Sequence, residues 1–337
     1  MPSPNIRLVL GTMTFGDEGQ EGVRIHNVEV GKQFLEAFKK HGYSDLDTSR
    51  IYGGGTTEKY LAATKLLDSS DFAVHTKVYP TKGKSMGKFS ENGYSHSGPD
   101  VRRSLIESLK TLKVPKVDLF YLHAPDRSTP FEETLREINA LYKEGYFNRF
   151  GISNFMSWEV AQICEICRKN NWLQPAVYQG IYNALHRAIE PELIPCLRYY
   201  GISLYCFQPL AGGFLTSRYK RVMDENDFEP GSRFDPRRWQ GSLHRDRYLN
   251  DFYFDALDII RPMAQKHNLT EAECAFRWLR HHSQLADGDA ILVGASRLSQ
   301  LETNIADAEK GSLPEDVVEA LDAAWETVKG VVPKYFH

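Results

Sequence analysis

The sequence predicts a parallel (β/α)8 barrel from its length, its short apolar runs and the amphipathic stretches between those runs. The chain has 337 residues, which suits one large barrel better than a small single core. Eight apolar runs predict strands at 8–13, 43–48, 72–78, 117–123, 149–153, 176–180, 202–207 and 290–295. Runs that are apolar enough to be buried on both faces, and that alternate with helices, are typical of a parallel sheet closed into a barrel. An open, doubly wound sheet is the alternative.

Four of the stretches between the strands have apolar residues at spacings of three and four, which predicts helices. These stretches are 30–42, 99–112, 130–145 and 157–170. Because no linker composition and no internal repeat divides the pattern, we predict that residues 1–337 form a single domain.

The charge balance and the lack of long apolar segments exclude several partner classes. With 41 Lys and Arg residues against 44 Asp and Glu residues, the formal net charge is −3, so no basic field exists to hold nucleic acid or an anionic membrane. No apolar stretch approaches the roughly 18 residues of a membrane span, and residues 1–11 lack the pattern of a signal peptide. We therefore expect a cytoplasmic protein that binds a small molecule, and a homodimer is compatible with the sequence.

The five cysteines are too few and too scattered to form a disulfide framework. They are Cys164, Cys167, Cys196, Cys206 and Cys274. Cys164 and Cys167 form a C-x-x-C within a predicted helix, with no second pair to complete a zinc site. We predict reduced thiols and no bound metal.

Two connections are longer than ordinary links between a strand and a helix. Residues 79–98 are rich in Gly, Ser and Lys, and residues 211–250 contain seven arginines. Each connection follows the carboxyl end of a predicted strand, where barrels build their active sites. We predict that both shape a substrate or cofactor site, and disorder is the alternative for 79–98.

Four titratable side chains follow the carboxyl ends of three neighbouring predicted strands. Asp47 ends the second strand, Tyr52 lies five residues later, Lys77 ends the third strand and His123 ends the fourth. Each alone has a structural explanation, such as a capping Asp or a solvated Lys. Together at one mouth they form a candidate catalytic set.

This set suits acid catalysis at a carbonyl group. A tyrosine has a pKa of about 10, so we expect Tyr52 to donate a proton only if a cation such as Lys77 stabilises the phenolate. Asp47 would keep Lys77 charged, and a neutral His123 could orient the carbonyl oxygen. None of these residues supplies electrons, so a reductase would need a hydride from a bound cofactor.

Candidate cofactor contacts lie on the later strands. The common G-x-G-x-x-G fingerprint is absent, which disfavours a Rossmann site. Ser153, Asn154 and Gln179 could hydrogen-bond a carboxamide. The segment 209–218 offers a glycine pair and Arg218 to phosphate, and 294–304 opens a helix after the last strand, where barrels often bind phosphate. The glycine run at 53–55 is better explained as a flexible turn.

The order of local segments resembles that of the aldo-keto reductases, over almost the whole chain from Leu8 to the terminal PKYF. The segments are GTMTFG, LDTSRIYGGGTTE, HTKV, LHAPD, GISNF, VYQGIYN and QPLAGGFLTSRY. Within that family the chain is most similar to the aflatoxin-aldehyde (succinic semialdehyde) reductase branch, because SNFMSWEVAQI, GSRFDP, RDRY and VPKYF resemble its segments. The resemblance implies a TIM barrel that uses NADPH. It also implies that Asp47, Tyr52, Lys77 and His123 are the catalytic tetrad.

The resemblance further implies a set of NADPH contacts. It places Ser153, Asn154 and Gln179 at the nicotinamide amide, and Phe207, where the family usually has Tyr, on the nicotinamide face. The remaining implied contacts are Met13, Asp47, Gln208, Leu210, Gly212, Arg218, Arg233, Gly294, Ser296, Arg297, Gln300 and Asn304. No acidic residue occurs among Ser296, Arg297 and Gln300, which favours the 2′-phosphate of NADPH over the free ribose of NADH.

Substrate contacts are expected from Tyr52, His123 and Arg247, of which Arg247 could pair with a carboxylate or form a structural salt bridge. The predicted activity is NADPH-dependent reduction of aldehydes or ketones. Two alternatives remain at this point. One is a nucleotide-binding regulatory subunit similar to channel-associated members of the family, and the other is a Schiff-base lyase that uses Lys77.

Overall fold

Eight strands form a closed parallel barrel in which each strand pairs with the next and the eighth pairs with the first. The computed structural model describes residues 5–67, 71–83 and 93–337. The strands are β1 (Arg7–Gly11), β2 (Asp45–Asp47), β3 (Ala73–Val78), β4 (Val117–Leu122), β5 (Phe147–Ser153), β6 (Val177–Ile181), β7 (Ser203–Phe207) and β8 (Ala290–Val293). The predicted barrel is confirmed with all eight strands, and the doubly wound alternative is wrong.

Most of the helices in the described residues surround the barrel and cover the outer faces of the strands. They are α1 (Val28–Lys40), α2 (Thr57–Ala63), α3 (Gly98–Leu112), α4 (Phe131–Lys143), α5 (Ser157–Asn170), α6 (Leu193–Tyr200), α7 (Trp239–Tyr248), α8 (Asp251–Lys266), α9 (Glu271–His281), α10 (Leu298–Glu309) and α11 (Glu315–Val328). The four helices predicted from apolar spacing are α1, α3, α4 and α5. In α1, Asn27 caps the first turn through its side-chain oxygen, and Phe34, Leu35 and Phe38 are buried against the barrel.

The barrel interior contains a small apolar cluster with polar side chains above and below it. The apolar cluster is formed by Val9, Leu119, Tyr121, Val177, Tyr205, Ala290 and Leu292. Side chains two positions apart on one strand face the same side of a sheet. Strands β2 and β3 therefore each direct two ionisable residues inward, and the residue nearer the carboxyl end of each strand faces the mouth.

The two long connections differ in the regular structure of their described residues. In the connection 79–98, residues 84–92 lie outside the described residues. The prediction that this stretch shapes a substrate or cofactor site therefore stays a prediction. The backbone N–H groups of Thr81 and Lys82 donate to Tyr94 O at 2.7 and 2.8 Å, which draws the two ends of this connection together. The connection 211–250 contains helix α7, which the sequence analysis did not predict.

Aromatic side chains pack the connection 211–250 against itself. The Phe214 and Tyr248 rings are stacked with centroids 5.9 Å apart, and the Tyr219 and Phe234 centroids are 4.4 Å apart. Such packing holds α7 in place over the mouth of the barrel.

The described residues contain no helix long and apolar enough to cross a membrane. The cysteines are free thiols, and Cys164 and Cys167 lie buried in α5, where burial raises the pKa of each thiol to about 12. A thiol with so high a pKa is a weak nucleophile and a weak metal ligand near neutral pH.

Candidate active site

Asp47 and Lys77 form a buried ion pair at the carboxyl ends of β2 and β3. Lys77 Nζ donates to Asp47 Oδ1 at 2.5 Å and to the backbone oxygen of Thr48 at 2.8 Å. From across the barrel, Gln179 Nε2 donates to Asp47 Oδ2 at 2.7 Å. Both carboxylate oxygens of Asp47 are therefore engaged, and the ammonium of Lys77 is held in one position.

Tyr52 lies at the start of a 3-10 turn, Tyr52–Gly55, which follows β2. Its phenol oxygen is 3.5 Å from Lys77 Nζ, and the ammonium lies 5.0 Å from the centre of its ring. Gly53 and Gly54 have φ angles of 55° and 62°. This left-handed backbone suits glycine, so the glycine run at 53–55 forms a tight turn that presents Tyr52 to the mouth.

The pKa of Tyr52 is raised above its ordinary value, because burial disfavours the phenolate more than nearby cations favour it. Lys77 and Arg233 both pull this pKa downward, and the charge of Asp47 adds to the upward shift. The sequence pattern predicts that Lys77 makes the phenolate accessible. The direction expected for Lys77 is right, but its effect does not outweigh burial, so Tyr52 is a protonated phenol near neutral pH.

His123 follows β4 and is partly exposed at the mouth. Burial and the charge of Lys77 hold its pKa well below the usual value, with smaller contributions from His337 and His96. The imidazole is therefore neutral, the form in which it can orient a carbonyl oxygen. The rings of Tyr52 and Tyr79 contact it edge to face, with centroid distances of 5.7 and 5.4 Å.

Ser153, Asn154 and Gln179 come together beside this cluster, Ser153 and Asn154 at the end of β5 and Gln179 in the middle of β6, where it pairs in register with Ser153. Asn154 has a left-handed φ of 64°, and its Nδ2 donates to His123 O and to Ser153 Oγ, both at 2.9 Å. Since the amide nitrogens of Asn154 and Gln179 already donate within the protein, their amide oxygens are the atoms suited to accept from a carboxamide.

Phe207 ends β7 and packs against the apolar cluster inside the barrel. The next residue, Gln208, has a φ of 57°, and its side-chain oxygen accepts from Tyr248 OH at 2.8 Å and from Arg247 Nη1 at 3.5 Å. The side chains of these two predicted cofactor contacts therefore point in different directions. Phe207 faces the barrel interior, and Gln208 faces α7.

Leu210 and Gly212 form a turn directly after β7. The N–H groups of Gly213 and Leu215 donate to Leu210 O at 2.8 and 3.1 Å. Gly212 has a φ of 72°, and a Cβ on it would lie 2.6 Å from the His244 ring on α7. Only glycine fits here, because the His244 ring fills the space that a side chain would take, whereas a Cβ on the next residue, Gly213, would meet no atom within 4 Å.

Three arginines surround one carboxylate, that of Glu229, near the connection between β8 and α10. Arg218 Nη1 lies 2.7 Å from Glu229 Oε2, Arg297 Nη2 lies 2.9 Å from Oε1, and Arg24 also pairs with Oε1. Burial would raise the pKa of Glu229, but Arg24, Arg218 and Arg297 hold it below its usual value. Arg218 and Arg297 are thus brought together as predicted, although the sequence analysis did not anticipate an acidic residue between them.

The remaining predicted contacts in this region lie around the start of α10. The backbone N–H and the hydroxyl of Ser296 both donate to Gln300 Oε1, at 3.2 and 3.0 Å. Asn304 Nδ2 donates to Gly294 O at 3.3 Å. These contacts fix the β8–α10 connection, so its polar groups are held beside the three arginines.

Arg233 and Arg247 have no carboxylate within ion-pair distance among the described residues. Arg233 is partly buried, with Nη2 3.5 Å from Met13 Sδ, and burial lowers its pKa. Arg247 is also partly buried and lies 5.8 Å from the centre of the Tyr248 ring. The structural salt bridge considered for Arg247 is therefore not formed with any described residue. A guanidinium without a counter-ion at a barrel mouth favours an anionic ligand.

The other arginines of the connection 211–250 are engaged by the protein itself. Arg221 pairs with three aspartates of α8, Arg237 pairs with Asp235, Arg238 binds the loop at 19–21, and Arg245 donates to Phe234 O. Arg233 and Arg247 are consequently the two best placed to contact a bound anion.

The structure adds site residues that the sequence analysis missed. Arg24 lies in the connection after β1, and Tyr79 directly follows β3, so the rule that active sites follow strand ends could have found both. Ser49, whose hydroxyl is 3.1 Å from His123 Nδ1, stands between two predicted residues. Glu229 does not directly follow a strand, and it comes close to Arg297 only in the folded chain, so its sequence position gives no indication of its role.

Comparisons with known proteins agree with this geometry. The profile of the Aldo/keto reductase family matches residues 7–326. Aldo-keto reductase pigE of Monascus ruber is 51% identical over 339 residues, which span 100% of this chain and 98% of that protein. Aflatoxin B1 aldehyde reductase member 2 of Mus musculus is 43% identical over 338 residues, which span 97% and 87% of the two chains. The human protein of that name is 41% identical over 345 residues, which span 99% and 90%.

Proposed function

Since the chain belongs to the aldo/keto reductase family, we propose that it reduces aldehydes or ketones to alcohols with NADPH and that Tyr52 donates the proton. Family membership makes the chain an oxidoreductase that acts on small carbonyl compounds. The observation that carries the finer proposal is the arrangement of the Tyr52 phenol beside the Lys77 ammonium and the neutral His123 imidazole, at a mouth where substrate can enter.

The residues around the mouth are suited to a dinucleotide. Arg233 lacks a carboxylate partner among the described residues, and no atom lies within 4 Å of the place that a Cβ on Gly213 would take, so a phosphate could meet both a cation and exposed backbone. The amide oxygens of Asn154 and Gln179 would accept from the nicotinamide carboxamide, with Phe207 against its ring. NADPH, when bound, supplies the hydride that no residue of the chain can supply.

Tyr52 has the properties required of the acid. Its raised pKa keeps it protonated near neutral pH. The alkoxide formed from a reduced carbonyl is far more basic than a phenolate, so proton transfer from Tyr52 is favourable. Lys77, held by Asp47 at 2.5 Å, stabilises the phenolate that remains. His123 would donate a hydrogen bond to the carbonyl oxygen and polarise it.

Arg24, Arg218 and Arg297, together with the Ser296 hydroxyl, support a preference for NADPH over NADH. Glu229 neutralises part of this positive charge. Three guanidinium groups around one carboxylate leave a net positive surface, which favours a 2′-phosphate over a free ribose hydroxyl.

Small carbonyl compounds that carry a carboxylate are the substrates that this mouth suits best. Arg247 supplies a cation without a carboxylate partner among the described residues, and Arg233, assigned above to the cofactor phosphate, adds positive charge that acts on Tyr52 itself. Several similar proteins, among them the mouse and human ones above, are named for an aldehyde, aflatoxin B1 aldehyde. We extend to this chain only the aldehyde class.

The test is turnover of 4-nitrobenzaldehyde with NADPH, and separately with NADH, by the wild-type protein and by Tyr52→Phe. We expect Tyr52→Phe to bind NADPH within a few fold of wild type while kcat falls about a thousandfold, since the acid is lost. Tyr43→Phe is the matched control, because Tyr43 OH donates to Glu309 away from the mouth, at 3.0 Å.

Residual activity of a tenth or more in Tyr52→Phe would remove Tyr52 as the acid. Equal kcat/KM with the two cofactors would contradict the NADPH preference. A wild-type protein that binds NADPH but turns over no aldehyde would indicate the nucleotide-binding regulatory alternative instead.

A further inference from the structure

Ser49 is a buried serine whose hydroxyl touches the imidazole of His123. Its Oγ lies 3.1 Å from His123 Nδ1, and its side chain has no exposure to solvent. We propose that Ser49 is a positioning residue that fixes His123 in the tautomer with the proton on Nε2. This inference rests on the proposed carbonyl reduction, and it concerns the orientation of a group that meets the substrate.

The tautomer decides what a neutral imidazole can do. A neutral histidine has one N–H donor and one acceptor nitrogen. If Nδ1 accepts from Ser49, the proton is on Nε2, and the side of the ring turned away from Ser49 can donate to a carbonyl oxygen. If Nδ1 carries the proton, Nε2 repels that oxygen, and His123 cannot polarise the carbonyl.

The surroundings of Ser49 favour donation toward His123. The other acceptor near its hydroxyl is Lys77 O, at the longer distance of 3.4 Å. That carbonyl oxygen already accepts the backbone N–H of Arg50, at 3.2 Å. The shorter contact to a nitrogen with one lone pair is the better hydrogen bond, so the Ser49 proton belongs on the His123 side.

The other contacts of His123 orient its ring but do not select its tautomer. Its backbone N–H donates to Val78 O, and its backbone oxygen accepts from Asn154 Nδ2, both at 2.9 Å. The Tyr52 and Tyr79 rings hold the imidazole plane from two directions, at interplanar angles of 78° and 85°. Ser49 Oγ is the hydrogen-bond partner that the described residues supply to Nδ1.

The first test reads the tautomer directly, by nitrogen NMR on protein labelled with 15N-histidine. The wild type is expected to show the His123 signals of a neutral imidazole protonated at Nε2. In Ser49→Ala these signals should move toward a mixture of the two tautomers. In Ser49→Thr, which keeps the hydroxyl, they should remain as in wild type. An unchanged pattern in Ser49→Ala would overturn the assignment, whether or not the protein proves to be a reductase.

The second test is kinetic and separates positioning from folding. We expect Ser49→Ala to lower kcat for 4-nitrobenzaldehyde about five- to tenfold, the size expected from losing one oriented hydrogen bond, with NADPH affinity unchanged. Ser49→Thr should recover most of that loss. The control is Ser104→Ala on α3, a buried serine whose hydroxyl has no hydrogen-bond partner among the described residues.

Two kinetic results would overturn the proposal. One is a kcat for Ser49→Ala within twofold of wild type. The other is a loss of kcat that accompanies an equal loss of NADPH binding and of thermal stability, since that would make Ser49 a structural residue. A wild type without any carbonyl reduction would instead refute the proposed function, and the NMR experiment would still decide the tautomer.

Discussion

The two ends of the barrel hold similar ionisable residues in opposite electrostatic settings. Strand β2 carries Asp45 and Asp47, and β3 carries His75 and Lys77, so each strand contributes one ionisable residue to each end. At the mouth Lys77 binds Asp47 and faces His123. At the opposite end, which we call the base, His75 Nε2 lies 3.2 Å from Asp45 Oδ1.

The base is a network in which each ionic group has an opposite charge beside it. Besides its contact with Asp45, His75 Nε2 lies 3.6 Å from Asp118 Oδ2, and Arg149 Nη2 lies 2.6 Å from the same oxygen. Burial alone would lower the pKa of His75, but Asp118 and Asp45 outweigh it and raise that pKa. The carboxyl pKa values of Asp45 and Asp118 are lowered, in spite of burial, chiefly by His75.

The mouth leaves its cations only partly compensated. His123 has Lys77 rather than a carboxylate as its charged neighbour, so its pKa falls while that of His75 rises. Arg233 and Arg247 have no carboxylate among the described residues. The two ends therefore differ in their unmatched charge: the base is neutralised by ion pairs within the protein, whereas the mouth combines the buried pair of Asp47 and Lys77 with arginines whose charge is available to a ligand.

Of the changes that distinguish the two ends, removal of the Lys77 ammonium at the mouth should have the largest effect on activity. Lys77→Met takes away the charge that lowers the pKa of Tyr52, so that pKa should rise further. We expect kcat to fall about a hundredfold and the basic limb of the pH-rate profile to move to higher pH, because the phenol stays protonated longer. Steady-state rates near neutral pH measure the first effect, and rates extended above pH 10, the ordinary tyrosine pKa being about 10, measure the second.

Arg149→Met is the matched control at the base. Removing this cation takes one partner from Asp118, which keeps His75, and one from Tyr205 OH, which Arg149 Nη1 contacts at 3.1 Å and which keeps Arg7. The midpoint of thermal unfolding should fall while kcat stays within twofold of wild type. If Arg149→Met loses as much kcat as Lys77→Met, or if the basic limb in Lys77→Met does not move, the division between the ends is wrong.

The barrel and the mouth were predictable because both follow from local pattern. Apolar runs predicted the strands, and apolar residues at spacings of three and four predicted helices between them. Their positions at predicted strand ends identified Asp47, Lys77 and His123 as candidate site residues. The base was not predicted, although the alternation of Asp45 with Asp47 and of His75 with Lys77 is visible in the sequence. A period of two tells which side chains share a face, but it does not tell which carboxylate on another strand each will meet.

Other features depend on distances between parts of the chain that lie far apart in sequence. Helix α7 was missed because its residues are mostly polar and its apolar face packs on the connection that carries it. The direction of the Tyr52 pKa could not be predicted, because burial is a property of the fold. Glu229 pairs with Arg24, about 200 positions away in the sequence, and with Arg297, about 70 positions away. No local sequence pattern can predict contacts over such separations.

A smaller effect, on KM, tests whether an arginine at the mouth that lacks a carboxylate partner among the described residues binds the substrate. In a partly water-excluded site, Arg247 paired with a carboxylate should contribute about 1.4 kcal/mol, or tenfold in affinity. Arg247→Ala should therefore raise KM for succinic semialdehyde about tenfold and leave 4-nitrobenzaldehyde nearly unaffected. Arg245→Ala is the control, because Arg245 donates to Phe234 O at 3.2 Å. Equal losses on both aldehydes would instead make Arg247 a support for α7.

The smallest predicted effect concerns stability and tests the charge of His75. Because its pKa is raised in the folded state, His75 contributes stability that is fully present below the unfolded value of about 6.5 and is lost as pH rises through the folded value. The free energy of unfolding of the wild type should therefore decline between pH 6 and pH 9. His75→Gln removes the titrating group, so its decline should be smaller than that of the wild type.

Urea unfolding at several pH values measures this difference, and His123→Gln is the control from the other end of the barrel. The pKa of His123 is depressed, so its contribution to stability is present above about pH 6.5 and is lost only as pH falls below that value. His123→Gln should then decline between pH 6 and pH 9 as steeply as the wild type. If His75→Gln also keeps the full decline, His75 is neutral in the folded protein. Both histidines would then be neutral in the folded protein. In that case the base could not be stabilised by an ion pair between His75 and the carboxylates of Asp45 and Asp118.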